Sequence, residues 1–293
     1  MGGLCKLDKA GGQKIKGVVK KSRDGQPLVS IVTAVFNGER YLEQTIQSVF
    51  EQTYDNIEYI VIDDGSTDGS LEIIKKYDNK LDYWLSKDNS GMYDSINLGL
   101  ESAAGDILAY INSDDLYYPE TIGIAVDHFL KHPNAELVYG NCDFIGPDKE
   151  FIYNYQYPKY KWQSYVCLDH SSLAQPTTFW RNTIHQKIGY FDPFFKYAGD
   201  FDFYAKAGKC CCFSRIRKNL ARFRIHNASK TATLGKRIKE ETEMVHIRYV
   251  QISRPHQLFL RSELYLRIKL LNLPLMLRKL YFRLKESIFT KQK

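Results

Sequence analysis

Residues 59–69 read Tyr-Ile-Val-Ile-Asp-Asp-Gly-Ser-Thr-Asp-Gly. Four residues of β-forming character, Tyr59–Ile62, end without transition in a carboxylate- and glycine-rich turn. A short apolar run bounded by such a turn reads as a buried strand. Upstream, Leu28–Val35 is a second run of this kind, closed by Asn37-Gly38, and Tyr41, Leu42, Ile46, Val49 and Phe50 fall on one helical stripe between Glu39 and Gln52. Downstream the alternation continues with a helix near 70–77, a strand at 83–86, a helix near 93–104 and a strand at 107–111. Strands alternating with helices through short polar turns predict an α/β fold, with a mostly parallel central sheet covered on both faces. Ligands of such sheets bind off the carboxyl ends of the strands. Asp63-Asp64 and Asp114-Asp115 both follow a strand, so they are expected to meet in one crevice.

Beyond Pro119 the pattern becomes mixed: a helix to about His132, a strand at 137–140, a Tyr-rich stretch from Phe151 to Tyr165, and a strand-like run at 177–180. Residues 234–252 read as helical, and 258–289 mix Leu, Tyr and Phe with Arg and Lys around Pro274. The expected organisation is a polar leader at 1–26 and a main domain at 27–232, followed by a helical C-terminal extension at 233–293. The domain divides into two halves, 27–118 and 119–232.

The formal charge of +7 is concentrated in the tail. From Arg254 to Lys293 there are ten Lys or Arg and two Glu, a local net of +8, which leaves residues 1–253 at −1. A near-neutral body with no recognisable nucleic-acid motif excludes that class of partner. Six cysteines, three of them in the run Cys210-Cys211-Cys212, form no C-x-x-C pair and are expected to be reduced thiols. Residues 1–26 carry no apolar core of a signal peptide, and the tail has no uncharged stretch near the ~20 residues that span a bilayer. The expected location is cytoplasmic, peripheral at the inner face of a membrane if the basic, apolar tail docks there.

Asn112-Ser113-Asp114-Asp115 sets adjacent carboxylates on a turn, where they suit Mg²⁺ or Mn²⁺ and, through the cation, a diphosphate. Asp114 or Asp115 could instead cap the next helix. The wider set of blocks discriminates: Val29–Asn37 (VSIVTAVFN), Ile60–Asp68 (IVIDDGSTD), Asn89–Gly99 (NSGMYDSINLG), Gly105–Asp115 (GDILAYINSDD) and Gln175–Arg181 (QPTTFWR). In order and approximate spacing they resemble family 2 glycosyltransferases of the GT-A fold, over roughly residues 27–230. The likeness is to bacterial enzymes of surface-polysaccharide synthesis.

That resemblance implies a fold, a Rossmann-like sheet, and roles. Thr33, Val35, Asn37, Asp63 and Asp64 would line the pocket of a nucleotide diphosphate sugar, with UDP favoured by family habit; Asn97, Asn112 and Ser113 join this donor-binding set. Asp114 and Asp115 stand where the family holds its cation, Mn²⁺ or Mg²⁺, with Asn112 in place of the first Asp of the D-x-D pattern. Gly199-Asp200-Phe201-Asp202 matches the block that carries the general base, which makes Asp200 the base, Asp202 the fallback, and Gly199 a departure where the family has Glu. Arg224 and His226 resemble the R-x-H block near the diphosphate, with His226 a further metal ligand. The implied reaction is single displacement with inversion onto an acceptor hydroxyl, on a glycan or lipid-linked glycan. No Q-x-x-R-W block of processive synthases is present, so one sugar per encounter is expected. The competing readings are an inactive sugar- or nucleotide-binding domain, which would lack these carboxylates, and a sugar nucleotidyltransferase, which needs a basic phosphate loop where this chain has Phe36-Asn37-Gly38-Glu39.

Overall fold

The computed structural model describes residues 9–88, 91–167, 173–227, 235–250 and 254–277. Strands β1 (Lys9–Gly11), β2 (Val29–Val35), β3 (Ile57–Asp63), β4 (Tyr83–Ser86), β5 (Ile107–Tyr110), β6 (Leu116–Tyr117), β7 (Leu137–Ile145), β8 (Phe151–Tyr155), β9 (Phe179–Arg181) and β10 (Phe213–Arg224) form one sheet. Its order is β1-β4-β3-β2-β5-β9-β7-β10-β6, with β8 paired to β7. The β4-β3-β2-β5 block is parallel. The short β9 then pairs antiparallel with both β5 and β7, joining this block to the parallel β7-β10 pair.

All seven residues of β3 are buried, and so are all of β2 except Ala34, because helices cover both faces. Helices α1 (Glu39–Phe50), α2 (Ser70–Lys76), α3 (Met92–Glu101) and α4 (Thr121–Lys131) stand where the alternation predicts them. α3 lies close on β2: a Cβ on Gly99 would come within 2.5 Å of Val32 Cγ1, so only glycine permits this approach. In the second half follow α5 (Trp162–Val166), α6 (Ile184–Ile188) and α7 (Gly199–Ala207), then α8 (Gly235–Tyr249) and α9 (Arg254–Leu271).

Three features differ from the sequence reading. The longest strand, β10, has no counterpart in it, because Arg215, Arg217, Lys218, Arg222 and Arg224 break the apolar alternation. The polar leader contributes a strand: β1 pairs with β4, and Lys14, Lys16 and Lys20 reach Glu58, Asp78 and Asp82 at 2.5, 2.7 and 2.9 Å. Glu58 is wholly buried, so the Lys14 ammonium neutralises a charge that would otherwise be costly there. The strand-like run at 177–180 forms its strand two residues later, as β9, after a 3₁₀ turn at Gln175–Thr177.

Candidate active site

The loops that follow β2, β3 and β5 meet at the carboxyl edge of the sheet. Asn37 takes a positive φ of 52°, which Asn tolerates, and its Oδ1 accepts the Thr67 N–H at 2.8 Å while its own N–H donates to Ser66 Oγ at 2.9 Å. The Gly38 N–H donates to Ser70 Oγ, the Glu39 N–H to Asp68, and the Gly69 N–H to Glu39. A Cβ on Gly38 would stand 3.1 Å from Ser113 Oγ, so the loop after β2 presses directly on the 112–115 turn.

In that turn the two adjacent aspartates do different work. Asp115 is 1% exposed; its Oδ1 accepts the Arg224 N–H at 2.9 Å and its Oδ2 the Asn112 amide at 3.3 Å. Burial, with the neighbouring Asp114 charge added, pushes its carboxyl well above the usual range. Asp114 is partly exposed, and its Oδ2 lies 2.9 Å from His226 Nε2. The His226 ring packs on Tyr41 at a centroid distance of 4.8 Å. Asn112 also donates to Gln175 Oε1 at 3.2 Å, while Gln175 donates to the Tyr110 carbonyl at 2.7 Å. A residue from the QPTTFWR block thus sets the orientation of the turn.

Arg224 is the pillar beneath it. Its side chain is fully buried, and its guanidinium donates to the carbonyls of Asp114 (2.8 Å) and Pro147 (2.6 Å) and to Gln44 Oε1 (2.9 Å) while stacking over Tyr41 at 4.4 Å. A cation already committed to this many acceptors holds the loops and is not free for a phosphate, which corrects the diphosphate-binding expectation for Arg224.

The second carboxylate centre is the first turn of α7. Asp200 keeps contact with solvent; its Oδ1 accepts the Phe201 N–H at 2.8 Å and the Tyr93 hydroxyl at 3.3 Å. The Asp200 N–H donates back to the Tyr93 oxygen at 3.1 Å. Burial raises the Asp200 carboxyl above its ordinary value, against the lowering effect of these two donors. The Gly199 departure has a steric cause: a Cβ there would enter the Tyr93 ring at 2.6 Å. Burial raises the pKa of the Tyr110 hydroxyl at the end of β5, and Tyr93, Asp200, Tyr204 and Asp115 add to the shift.

Several expected site residues serve the framework. Asp202 is wholly buried, with Oδ1 accepting from Arg248 at 2.9 Å and Tyr249 at 3.0 Å, so it anchors α8 and does not stand as an alternative base. Thr33 is buried with its hydroxyl on Tyr59, and Val35 is buried beside Gly38. Asp63 is buried and accepts from Ser66 N–H and Ser86 Oγ, whereas Asp64 is partly exposed. Asn97 spends its amide on Phe191, donating to its carbonyl and accepting its N–H. Asp115 is buried and paired, Asp114 and His226 stand together with part of their surface exposed, and among the described residues no group of three or more His, Cys, Asp or Glu could hold a metal ion.

Sequence reasoning missed Tyr41, Tyr93, Gln175 and Glu241. Tyr93 and Gln175 lie inside quoted blocks and were legible as block members. Glu241, on α8, accepts the N–H groups of Lys196 (3.0 Å), Tyr197 (2.7 Å) and Ala198 (2.9 Å), the segment that leads into Asp200. Nothing in the helix sequence signals this.

An open, mostly parallel sheet with a carboxylate turn after β5 and a second carboxylate on a later helix start defines the GT-A class of nucleotide-sugar-dependent transferases. The chain belongs to Glycosyl transferase family 2, whose family model matches residues 30–224. An uncharacterized glycosyltransferase of Rickettsia typhi is 32% identical over 226 residues, 75% of this chain and 71% of that protein. Among solved structures, TarS residues 1–349 of S. aureus in complex with UDP-GlcNAc superimposes with a TM-score of 0.61 at 20% identity, covering 81% of this chain and 71% of that one. The mannosyltransferase PcManGT of Pyrobaculum calidifontis, solved with GDP-Man and Mn²⁺, gives 0.57 at 17% identity over 82% of this chain and 70% of that one.

Proposed function

We propose that this glycosyltransferase moves a sugar from a UDP-sugar to a hydroxyl of a glycan acceptor in one inverting displacement, with Asp200 as the general base. The single observation that carries this reading is the state of Asp200: one carboxylate oxygen is held by the Phe201 N–H and the Tyr93 hydroxyl, while the residue still reaches solvent. A base tethered through one oxygen presents the other at a fixed angle, and its raised pKa brings its proton affinity closer to the working pH. A UDP-sugar is favoured by the family and by the TarS complex with UDP-GlcNAc.

Asp114 and His226 fit a hard divalent cation, Mn²⁺ or Mg²⁺: a partly exposed carboxylate oxygen and an imidazole nitrogen stand together, and such ions commonly take one or two protein ligands plus substrate phosphates. When bound, the cation would offset the charge that develops on the departing diphosphate. The protein's own part is to hold Asp114 in place through Arg224 and Gln175, and to take the acceptor proton at Asp200. Asp64 and the latched loops after β2 and β3 would enclose the nucleotide.

The surface of α9 supports a reading of where the acceptor lies. Leu260 and Leu264 pack on the domain, whereas Phe259, Leu266 and Leu270 are 66%, 59% and 65% exposed. With Leu273 and Leu277 on the following helical turn they recur at helical spacing on one face. An exposed apolar stripe in a basic segment favours peripheral docking on an anionic membrane and hence a lipid-linked glycan acceptor of the kind used for bacterial surface polysaccharides. Among the described residues no helix is long and apolar enough to cross a membrane. Six of the ten tail cations, with Tyr281 and Phe282, lie outside the described residues.

The test is transfer from UDP-sugars to glycan acceptors by wild type and Asp200→Asn. A fall in kcat of at least about 100-fold with donor affinity retained is expected of a lost base. Near-normal turnover by Asp200→Asn would remove it from that role.

A further inference from the structure

β10 runs beside β7 with its register broken twice, between Arg215 and Asn219 and again between Asn219 and Ala221. The bulged segment leaves the sheet edge and turns its side chains outward, since a bulge bends the strand and re-aims what it carries. Between this bulge, the end of β8 and the end of α9 lies an open cleft of about 580 Å³, lined by Asn141, Asn154, Gln156, Arg215, Arg217 and Lys218 among others. The far wall is fixed by Asn272, which accepts the Gln156 N–H at 2.8 Å and donates to the Gln156 carbonyl at 3.0 Å.

Three cations line this cleft, and among the described residues none of Arg215, Arg217 and Lys218 takes part in an ion pair. Arg215 Nε is buried and donates to nothing, although its Nη2 reaches Asn141 Oδ1 at 3.4 Å. Burial lowers the Arg215 pKa, with Tyr139 opposing and the Arg217 charge adding to the shift. The buried Asp143 carboxylate stands behind Asn154 and Asn219, accepts from both and from Tyr118, and forms no ion pair with the three cations. The exposed Arg217 and Lys218 offer charged donors from which a ligand oxyanion can accept. The amides of Asn141, Asn154 and Gln156 add the donors and acceptors that sugar hydroxyls use.

We infer that this cleft is an oxyanion-binding site, separate from the Asp114 and Asp200 crevice, that takes a phosphate or carboxylate group carried on a glycan. A recessed, amide-lined cleft suits a glycan better than a flat lipid surface. Leu271, which lines it, also stands about 120° around α9 from Phe259 and Leu266, so the cleft and the exposed apolar stripe face different ways.

The test uses the full chain without donor, so its outcome is independent of the catalytic assignment. Inorganic phosphate is titrated and followed by ³¹P line broadening in wild type, in R217Q/K218Q, whose altered side chains are exposed, and in Asp114→Asn. Phosphate affinity is expected to fall at least tenfold in R217Q/K218Q and to stay unchanged in Asp114→Asn. A hexuronate tetrasaccharide is expected to bind at least tenfold more tightly than a neutral tetrasaccharide, and to lose that advantage in R217Q/K218Q. No saturable phosphate binding, equal binding by R217Q/K218Q, or equal binding of the two tetrasaccharides would overturn the inference. Binding of phosphatidylglycerol vesicles through these two residues, without tetrasaccharide binding, would overturn it in favour of a lipid.

Discussion

Replacing Glu241 by Ala removes one carboxylate and strands three backbone donors at once. Glu241 Oε2 accepts from Tyr197 and Ala198 at 2.7 and 2.9 Å, and Oε1 accepts from Lys196 at 3.0 Å. A hydrogen bond to a charged group contributes about 1.5–3 kcal/mol. The Lys196 and Tyr197 amides can turn to water once freed, whereas Ala198 is 3% exposed and its N–H stays without a partner. Discounting the first two leaves a loss of about 2–4 kcal/mol, or a fall in thermal midpoint of about 4–8 °C for a chain of this size. Glu241→Gln, with its amide oxygen in the Oε2 position, keeps the Tyr197 and Ala198 bonds and should lose about half as much. These amides lead directly into Asp200, so kcat of Glu241→Ala should drop about tenfold while the donor KM changes little, because a small displacement of a base acts chiefly on the transition state. Differential scanning calorimetry and steady-state transfer assays measure the two effects. A midpoint within about 1 °C of wild type together with unchanged kcat would refute the view that α8 braces the catalytic helix.

Tyr93→Phe removes the hydroxyl that stabilises the Asp200 carboxylate, so Asp200 should titrate at a higher pH than in wild type. Because the base works deprotonated, the acid limb of the kcat/KM profile should move to higher pH; an unmoved limb would separate Tyr93 from the base. Asp114→Asn should raise the Mn²⁺ concentration for half-maximal turnover by at least about tenfold, whereas turnover by wild type that persists in EDTA would remove the cation from the reaction. Asp202→Asn takes the charge from a buried partner of Arg248 and should cost about 1–3 kcal/mol in chemical denaturation, discounted for the partly exposed guanidinium. Its turnover per folded molecule should stay within about threefold of wild type, and a collapse at unchanged stability would return Asp202 to the chemistry.

The order of strands and helices from β2 to β5, and α4 after them, was legible in the sequence because each of these elements is a local statement. A buried parallel strand is a short apolar run, an amphipathic helix is a period, and a turn is Asp, Asn or Gly at the join. The carboxylate turn at 112–115 was singled out as contiguous residues whose types suit a cation, and the first turn of α7 by its resemblance to the family's base block. Only the tertiary structure shows which member of each pair is buried and which keeps contact with solvent. Asp114 and Asp115 are neighbours of identical chemistry, yet Arg224, 109 residues on from Asp115, buries one and leaves the other beside His226. Asp200 and Asp202 are likewise indistinguishable until Arg248 and Tyr249 of α8 claim the second. Strand β10 was hidden because its alternation carries cations where apolar residues would mark it, and the leader because its strand is only three residues long. Spacing along a chain records what a residue can do, but desolvation and hydrogen-bond partners arrive from distant segments and determine what it does.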